Sequence, residues 1–183
     1  MAELREFRLH PGDPAPPFAL PGVDGKTYRL VDYASDPFLL VVFWCNHCPY
    51  VQAWEGRMID IGRRYGPKGV RIVLINPNDA RAYPEDSFAS MVRRSKEKQY
   101  PFPYLQDESQ EVARAYGALV TPHPMLFDKN RRLLFQGRID NDHQHAERVT
   151  ERYLERALDQ ALAGGPVRPA ELPVAGCTVK WRP

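Results

Sequence analysis

Two stretches of the chain are apolar almost throughout: Phe38-Leu39-Leu40-Val41-Val42-Phe43-Trp44 and Val70-Arg71-Ile72-Val73-Leu74-Ile75. Short β-rich runs without polar alternation are what strands covered on both faces of a sheet require. Between them Val51, Trp54, Met58, Ile61 and Tyr65 recur at helical spacing, and Gly66-Pro67 and Gly69 end the pattern. Strand, helix and strand in this order predict a parallel crossover, right-handed by default. Upstream, an Asp24-Gly25 pair separates Phe18-Ala19-Leu20 from Thr27-Tyr28-Arg29-Leu30, so residues 11–37 read as an N-terminal β-hairpin extension. Downstream, Pro84-Glu85-Asp86 marks a helix start with Phe88, Met91 and Val92 on its buried face. A short strand near Phe102-Pro103-Tyr104-Leu105 and a short helix from Ser109 to about Tyr116 follow. Met125-Leu126-Phe127 and Leu133-Leu134-Phe135, joined by Asp128-Lys129-Asn130, form a second hairpin. Val149, Tyr153, Leu154, Ala157, Leu158, Ala161 and Leu162 draw the stripe of a last helix, which Gly164-Gly165-Pro166 stops. The whole describes one α/β domain over residues 1–183, a sheet with helices on both faces. The tail, 164–183, is proline-rich and expected to lie over the surface.

Composition narrows the class. The chain has 183 residues, 43% hydrophobic and 26% charged, which suits one buried core. No apolar run reaches the ~18–20 residues of a membrane span. The opening Met1-Ala2-Glu3-Leu4-Arg5-Glu6-Phe7-Arg8 mixes both charges where a signal peptide is apolar, so a cytoplasmic protein is expected. A formal charge of +2 with scattered basic residues gives no face for phosphate backbones, so neither nucleic acid nor membrane is an expected partner. Three cysteines are too few for a disulfide scaffold.

Their placement carries the chemistry. Trp44-Cys45-Asn46-His47-Cys48-Pro49 sits where a buried strand gives way to a helix. Two thiols at C-x-x-C spacing on a helical first turn come within disulfide reach, and the free N–H groups there stabilise a thiolate. On this reading Cys45 attacks and Cys48 resolves. His47 favours the thiolate as a charged or N–H donor, and Asn46 adds a neutral donor. Trp44 and Pro49 flank the pair as substrate-contacting positions. The alternative readings are half a zinc site or buried structural thiols. A closed zinc site wants four ligands, and outside the Cys45-Asn46-His47-Cys48 motif only Cys177, His10, His123, His143 and His145 remain, scattered and without a second C-x-x-C, so no metal and no other cofactor is expected. Thr121-Pro122 precedes a strand, and a cis bond there would leave the Thr121 backbone N–H and C=O facing the thiols, able to hold an extended substrate as an added strand. Cys177 is either a third redox thiol, if the tail folds back, or a small buried hydrophobe. Asp140-Asn141-Asp142-His143-Gln144-His145 reads as a loop capping the last helix or as a metal site, and Arg138 and Asp140 as an ion pair.

On these residues the chain resembles the thioredoxin-like superfamily, in particular its AhpC/TSA and TlpA-like branch. The resemblance rests on Cys45-Asn46-His47-Cys48-Pro49-Tyr50, Asn76-x-Asn78-Asp79 with Tyr83-Pro84-Glu85-Asp86, Thr121-Pro122, Gly137-Arg138-Ile139-Asp140 and the terminal Gly176-Cys177. It implies a thioredoxin fold with an N-terminal hairpin extension and an αβ insertion, a reversible Cys45–Cys48 disulfide and a cis Pro122. It also implies protein dithiol–disulfide exchange with protein substrates and a thiol reductant. A peroxide-reducing role is the first alternative; peroxiredoxins carry P-x-x-x-T-x-x-C, in which Val41 and Cys45 here replace the proline and the threonine. In thioredoxins a buried Asp stands where this chain has Leu39, and Glu55 is the nearest substitute. A Cu/Zn-binding thiol carrier using Cys45, Cys48 and a histidine is the second alternative. The direction of exchange, the electron donor and the oligomeric state stay open.

Overall fold

The computed structural model describes residues 6–183. Residues 1–5, on which part of the expectation about export rests, lie outside the described residues. Along the chain come a hairpin of β1 (Ala19–Pro21) and β2 (Thr27–Arg29), then β3 (Phe38–Phe43), α1 (Pro49–Tyr65) and β4 (Val70–Asn76). α2 (Phe88–Glu97), β5 (Tyr104–Gln106) and α3 (Glu111–Tyr116) follow, then β6 (Val120–Thr121), β7 (His123–Phe127), β8 (Leu133–Gln136), α4 (Tyr153–Leu162) and β9 (Cys177–Thr178). The main sheet runs β5-β4-β3-β7-β8. β3, β4 and β5 are parallel to one another, and β7 and β8 return antiparallel, so the sheet is mixed.

The apolar runs take the centre because both faces are covered. Leu40, Val42 and Leu74 point into a core with Val51, Trp54, Met58 and Ile61 of α1 and Leu154, Ala157 and Leu158 of α4. Leu39, Val41, Phe43, Val73 and Ile75 point the other way, against Ala113 and Tyr116 of α3 and against Phe18 and Leu20 of the N-terminal hairpin. Successive side chains of a strand alternate in direction, so each strand feeds two cores. The hairpin turns at Asp24-Gly25, where Gly25 has φ +83°, and Val23 N–H donates to Tyr104 C=O at 3.0 Å, which fastens it to β5. No helix among the described residues is long and apolar enough to cross a membrane.

Local chemistry moves several expected boundaries. Pro84–Asp86 forms only a 3₁₀ turn; α2 begins after Ser87, whose hydroxyl accepts the Ser90 N–H at 3.2 Å and caps the helix. The last helix starts at Tyr153 rather than near Val149, because 146–148 is a separate 3₁₀ turn. Asp142 accepts the N–H groups of Gln144 and His145 within that connection instead of capping α4. β7 includes Pro124, expected to lie ahead of the strand; it pairs with Val42, but Gln136, the last residue of β8, reaches only to Met125. Arg138 does not pair with Asp140. Asp140 instead accepts from Arg57 at 2.5 Å and from Trp54 Nε1 at 2.8 Å, while Arg138 lies over the Tyr153 ring.

The tail departs furthest from expectation. Rather than lying loosely on the surface it runs across the ends of the strands and adds β9 to β6. Lys180 N–H donates to Asn78 Oδ1 at 2.9 Å and Lys180 C=O accepts from Asp79 N–H at 2.9 Å, while Gln110 Nε2 donates to the same carbonyl. Val179 is buried, and the Arg114 guanidinium stacks 4.5 Å from the Trp181 ring centre.

Leu126 of β7, opposite Leu40 of β3, is wholly buried in the α1/α4 core. Leu126→Ala is expected to cost about 3 kcal/mol in urea unfolding, as a buried leucine truncated in a close-packed core does; a loss below about 1 kcal/mol would contradict this packing.

Candidate functional site

The site forms where β3 ends and α1 begins. Pro49 occupies the first position of α1, which suits a residue with fixed φ and no N–H to satisfy. That choice makes Cys48 the residue before the helix, with extended backbone (φ −71°, ψ 126°), and leaves Cys45 in the preceding loop. The expected placement of both thiols on a helical first turn is therefore corrected. The free N–H of Val51 reaches Cys48, and that of Tyr50 reaches Cys177 from the tail. Cys45 draws no helix N–H.

All three cysteines are thiols, and they meet. The Cys48 thiol interacts with both the Cys45 and the Cys177 thiols. Thr121 touches the same group: its hydroxyl lies 3.1 Å from Cys45 Sγ, its carbonyl accepts from the protonated Cys48 at 3.3 Å, and its backbone pairs with Cys177. The Thr121-Pro122 bond is cis. Gly176 allows the approach, since a Cβ there would stand 2.3 Å from Thr121 O. Thus the Thr121 edge, expected to be open for an added strand, already carries the chain's own residues 177–178.

Charge settles on Cys48. Donation from Cys45, then the Cys177 thiol and the Val51 and Cys177 N–H groups, outweigh burial and lower its pKa from 9.0 to about 5. Cys45 moves the other way: its bond to Cys48, then burial, then the charge of Asp86 hold it protonated, against the Thr121 hydroxyl. Burial and the neighbouring Cys48 raise Cys177 to about 11.

Asp86 is the site residue that sequence reasoning missed. Its side chain has no solvent exposure, yet it accepts from the Asn46 N–H at 2.6 Å, from Asn78 Nδ2 at 2.9 Å and from His47 Nδ1. His47 is thereby held against Asp86 and stacked on the Tyr83 ring. Only the motif Asn78-Asp79 with Tyr83-Pro84-Glu85-Asp86 signalled it, and there Asp86 read as a helix-start acid. Glu55 is not the buried proton acceptor; it is bound by Arg94 at 2.7 and 2.9 Å and by the Tyr100 hydroxyl at 2.6 Å.

The remaining candidates fall on two sides of the pair. Asn46 offers the thiols nothing, because its amide donates to Glu85 C=O at 2.9 Å and accepts from the Tyr104 hydroxyl at 2.8 Å. Trp44 is wholly buried, with Nε1 on the Tyr100 hydroxyl, so it cannot contact a substrate surface. Pro49 is exposed, and His47, Tyr50 and Cys177 are partly so. Among the described residues Cys45, His47 and Asp86 are grouped closely enough to ligate a cation, with donor atoms within 4.8 Å, but Asp86 is already committed to three hydrogen-bond donors. His123 is a core residue, bonded to Gln136, whose pKa burial lowers to about 4.

A mixed sheet with its thiols at the first strand–helix junction places the chain in the thioredoxin-fold class. Residues 11–136 match the AhpC/TSA family model, and the chain belongs to that family. A crystal structure of an uncharacterised conserved protein from Geobacillus kaustophilus is similar with a TM-score of 0.91 and 43% identity, over 96% of this chain and 94% of that one. The exposed lipoprotein thioredoxin Etrx1 of Streptococcus pneumoniae is similar with a TM-score of 0.60 and 25% identity, over 81% of this chain and 99% of that one. The thiol-disulfide oxidoreductase ResA of Geobacillus thermodenitrificans is 29% identical over 121 residues, which is 65% of this chain and 64% of that protein, less than two thirds of its length.

A thiol whose pKa is about 5 in the folded chain and 9.0 when unfolded stabilises the fold fully above pH 9 and loses that contribution as the pH falls through 5. The stability difference between reduced wild type and Cys48→Ser is therefore expected to grow in favour of wild type from pH 5 to pH 9, read by urea midpoints. A difference independent of pH would contradict a depressed Cys48.

Proposed function

We propose that the protein is a dithiol–disulfide oxidoreductase whose redox couple is Cys45 and Cys48. One observation carries the reading: two free thiols at a strand–helix junction converge on one residue, Cys45 Sγ lying 3.1 Å from the Thr121 hydroxyl and Cys48 Sγ 3.3 Å from the Thr121 carbonyl. Such a pair gives up two electrons as one S–S bond forms, with the thiolate as nucleophile and its neighbour as the group that closes the ring. The oxidoreductases among similar proteins, ResA and Etrx1, support the class of reaction. Thr121 serves both sulfurs. Its hydroxyl donates to Cys45 when that sulfur carries charge, and its carbonyl accepts from Cys48 when that one is protonated. Asp86 acts as a positioning residue, holding the Asn46–His47 segment and so the span between the cysteines. The substrates on this reading are protein disulfides and dithiols, with a thiol reductant or oxidant closing the cycle.

Glutathione-buffered oxidation followed by peptide mapping is expected to give a Cys45–Cys48 disulfide. Cys45→Ser and Cys48→Ser are each expected to lower insulin-disulfide reduction by dithiothreitol at least a hundredfold. Wild-type protein that forms no such bond, or single variants that keep a tenth or more of the activity, would overturn the proposal. Consumption of hydrogen peroxide faster than that of disulfides would move the reaction to peroxide reduction.

A further inference from the structure

The redox pair is closed off from solvent. Cys45 is 0% exposed and Cys48 1%, so an external sulfur has no line of attack on either. Against Thr121, which contacts both sulfurs, lies the chain's own segment 176–178, paired as an added peptide strand would be and presenting a cysteine beside Cys48. The segment is built in, since the hydrogen bonds of Lys180 to Asn78, Asp79 and Gln110, the bond of Arg182 N–H to Gln110 and the burial of Val179 all hold it down. Cys177 alone of the three thiols is partly exposed, and it lies on the strand paired with Thr121, whose carbonyl accepts from Cys48, with the Tyr50 N–H and the Cys48 thiol acting on its sulfur.

We propose that Cys177 is the contact thiol of the protein, a substrate-like cysteine on a built-in strand that passes the disulfide between the buried Cys45–Cys48 pair and external protein thiols. The inference rests on the redox couple proposed above. Starting from the oxidised pair, the Cys177 thiolate attacks Cys48 Sγ. The Cys48–Cys177 bond forms, the Cys45–Cys48 bond breaks, and Cys45 leaves with the electron pair, receiving the Thr121 hydroxyl hydrogen bond and taking the proton that Cys177 gave up. An external thiolate then attacks Cys177 Sγ. The Cys48–Cys177 bond breaks, and Cys48, stabilised by the Val51 N–H, is the better leaving group because a thiol of lower pKa departs faster. The second thiol of the external dithiol displaces Cys177 and closes the external disulfide. Two electrons have moved from the external dithiol to the pair, and the reverse sequence reduces an external disulfide.

The test maps disulfides in wild type, Cys45→Ser, Cys177→Ser and Cys177→Ala after glutathione-disulfide oxidation, and measures exchange with a reduced unfolded protein such as ribonuclease. Cys45→Ser is expected to accumulate a Cys48–Cys177 disulfide in most molecules. The two Cys177 variants are expected to form the Cys45–Cys48 disulfide as wild type does and to exchange with the protein at least tenfold more slowly. Two variants guard against a folding defect of either. A Cys45→Ser protein with no Cys48–Cys177 bond, or Cys177 variants that exchange at the wild-type rate, would overturn the relay and mean that the strand lifts to admit substrate. Absence of the Cys45–Cys48 disulfide from wild type and both Cys177 variants would instead overturn the underlying pair, and the relay with it.

Discussion

Thr121 holds the site together because one residue meets three cysteines in three ways. Its hydroxyl reaches Cys45, its carbonyl reaches Cys48, and its peptide backbone forms the short ladder to Cys177. Buried polar groups are stable only when partnered, and here each partner is a redox atom or the backbone that carries one. The requirement propagates outward. The ladder needs a glycine at 176 for the strands to approach, and the strand needs Asn78, Asp79 and Gln110 to receive the backbone that follows it.

A second constraint comes from the opposite side of the pair. Asp86 is a carboxylate with no solvent, a costly state unless its oxygens are fully engaged. It engages the Asn46 N–H, His47 and the Asn78 amide, so the loop between the cysteines is fixed by the segment after β4. Asn78 joins the two systems, since its amide nitrogen binds Asp86 and its oxygen receives Lys180 N–H from the tail. The segment bearing Asp86, whose charge adds to the Cys48 contact and to burial in raising Cys45, is thus tied by one side chain to the strand that places Cys177 beside Cys48.

The sequence was most legible where structure follows from local pattern. The apolar runs at 38–44 and 70–75 became adjacent parallel strands, and the stripe from Val51 to Tyr65 became α1. Family resemblance implied the cis bond at Thr121-Pro122, and the structure has it. Trp44 illustrates a signal misweighed: it ends an apolar run, and the same argument that buried Phe43 applies to it, yet its position beside Cys45 drew it toward a surface role. Asp86 and the tail were illegible for a different reason. Asp86 lies 40 positions from Asn46 and Cys177 lies 129 from Cys48, and no periodicity reports pairings across such distances. The contact between Cys45 and Cys48 does most to set the two thiols apart, and Pro49, by starting the helix, adds the Val51 N–H on the Cys48 side, a detail that C-x-x-C spacing alone does not report.

The coupling of the three thiols is tested most directly by their separate titrations. Cysteine Cβ chemical shifts of the reduced protein, followed by NMR from pH 3 to pH 10, report each thiol separately. Cys48 titrating near 5, with Cys45 and Cys177 unchanged until the solution is alkaline, is the predicted result. A titration near 5 at Cys45, or at none of the three, would contradict the account.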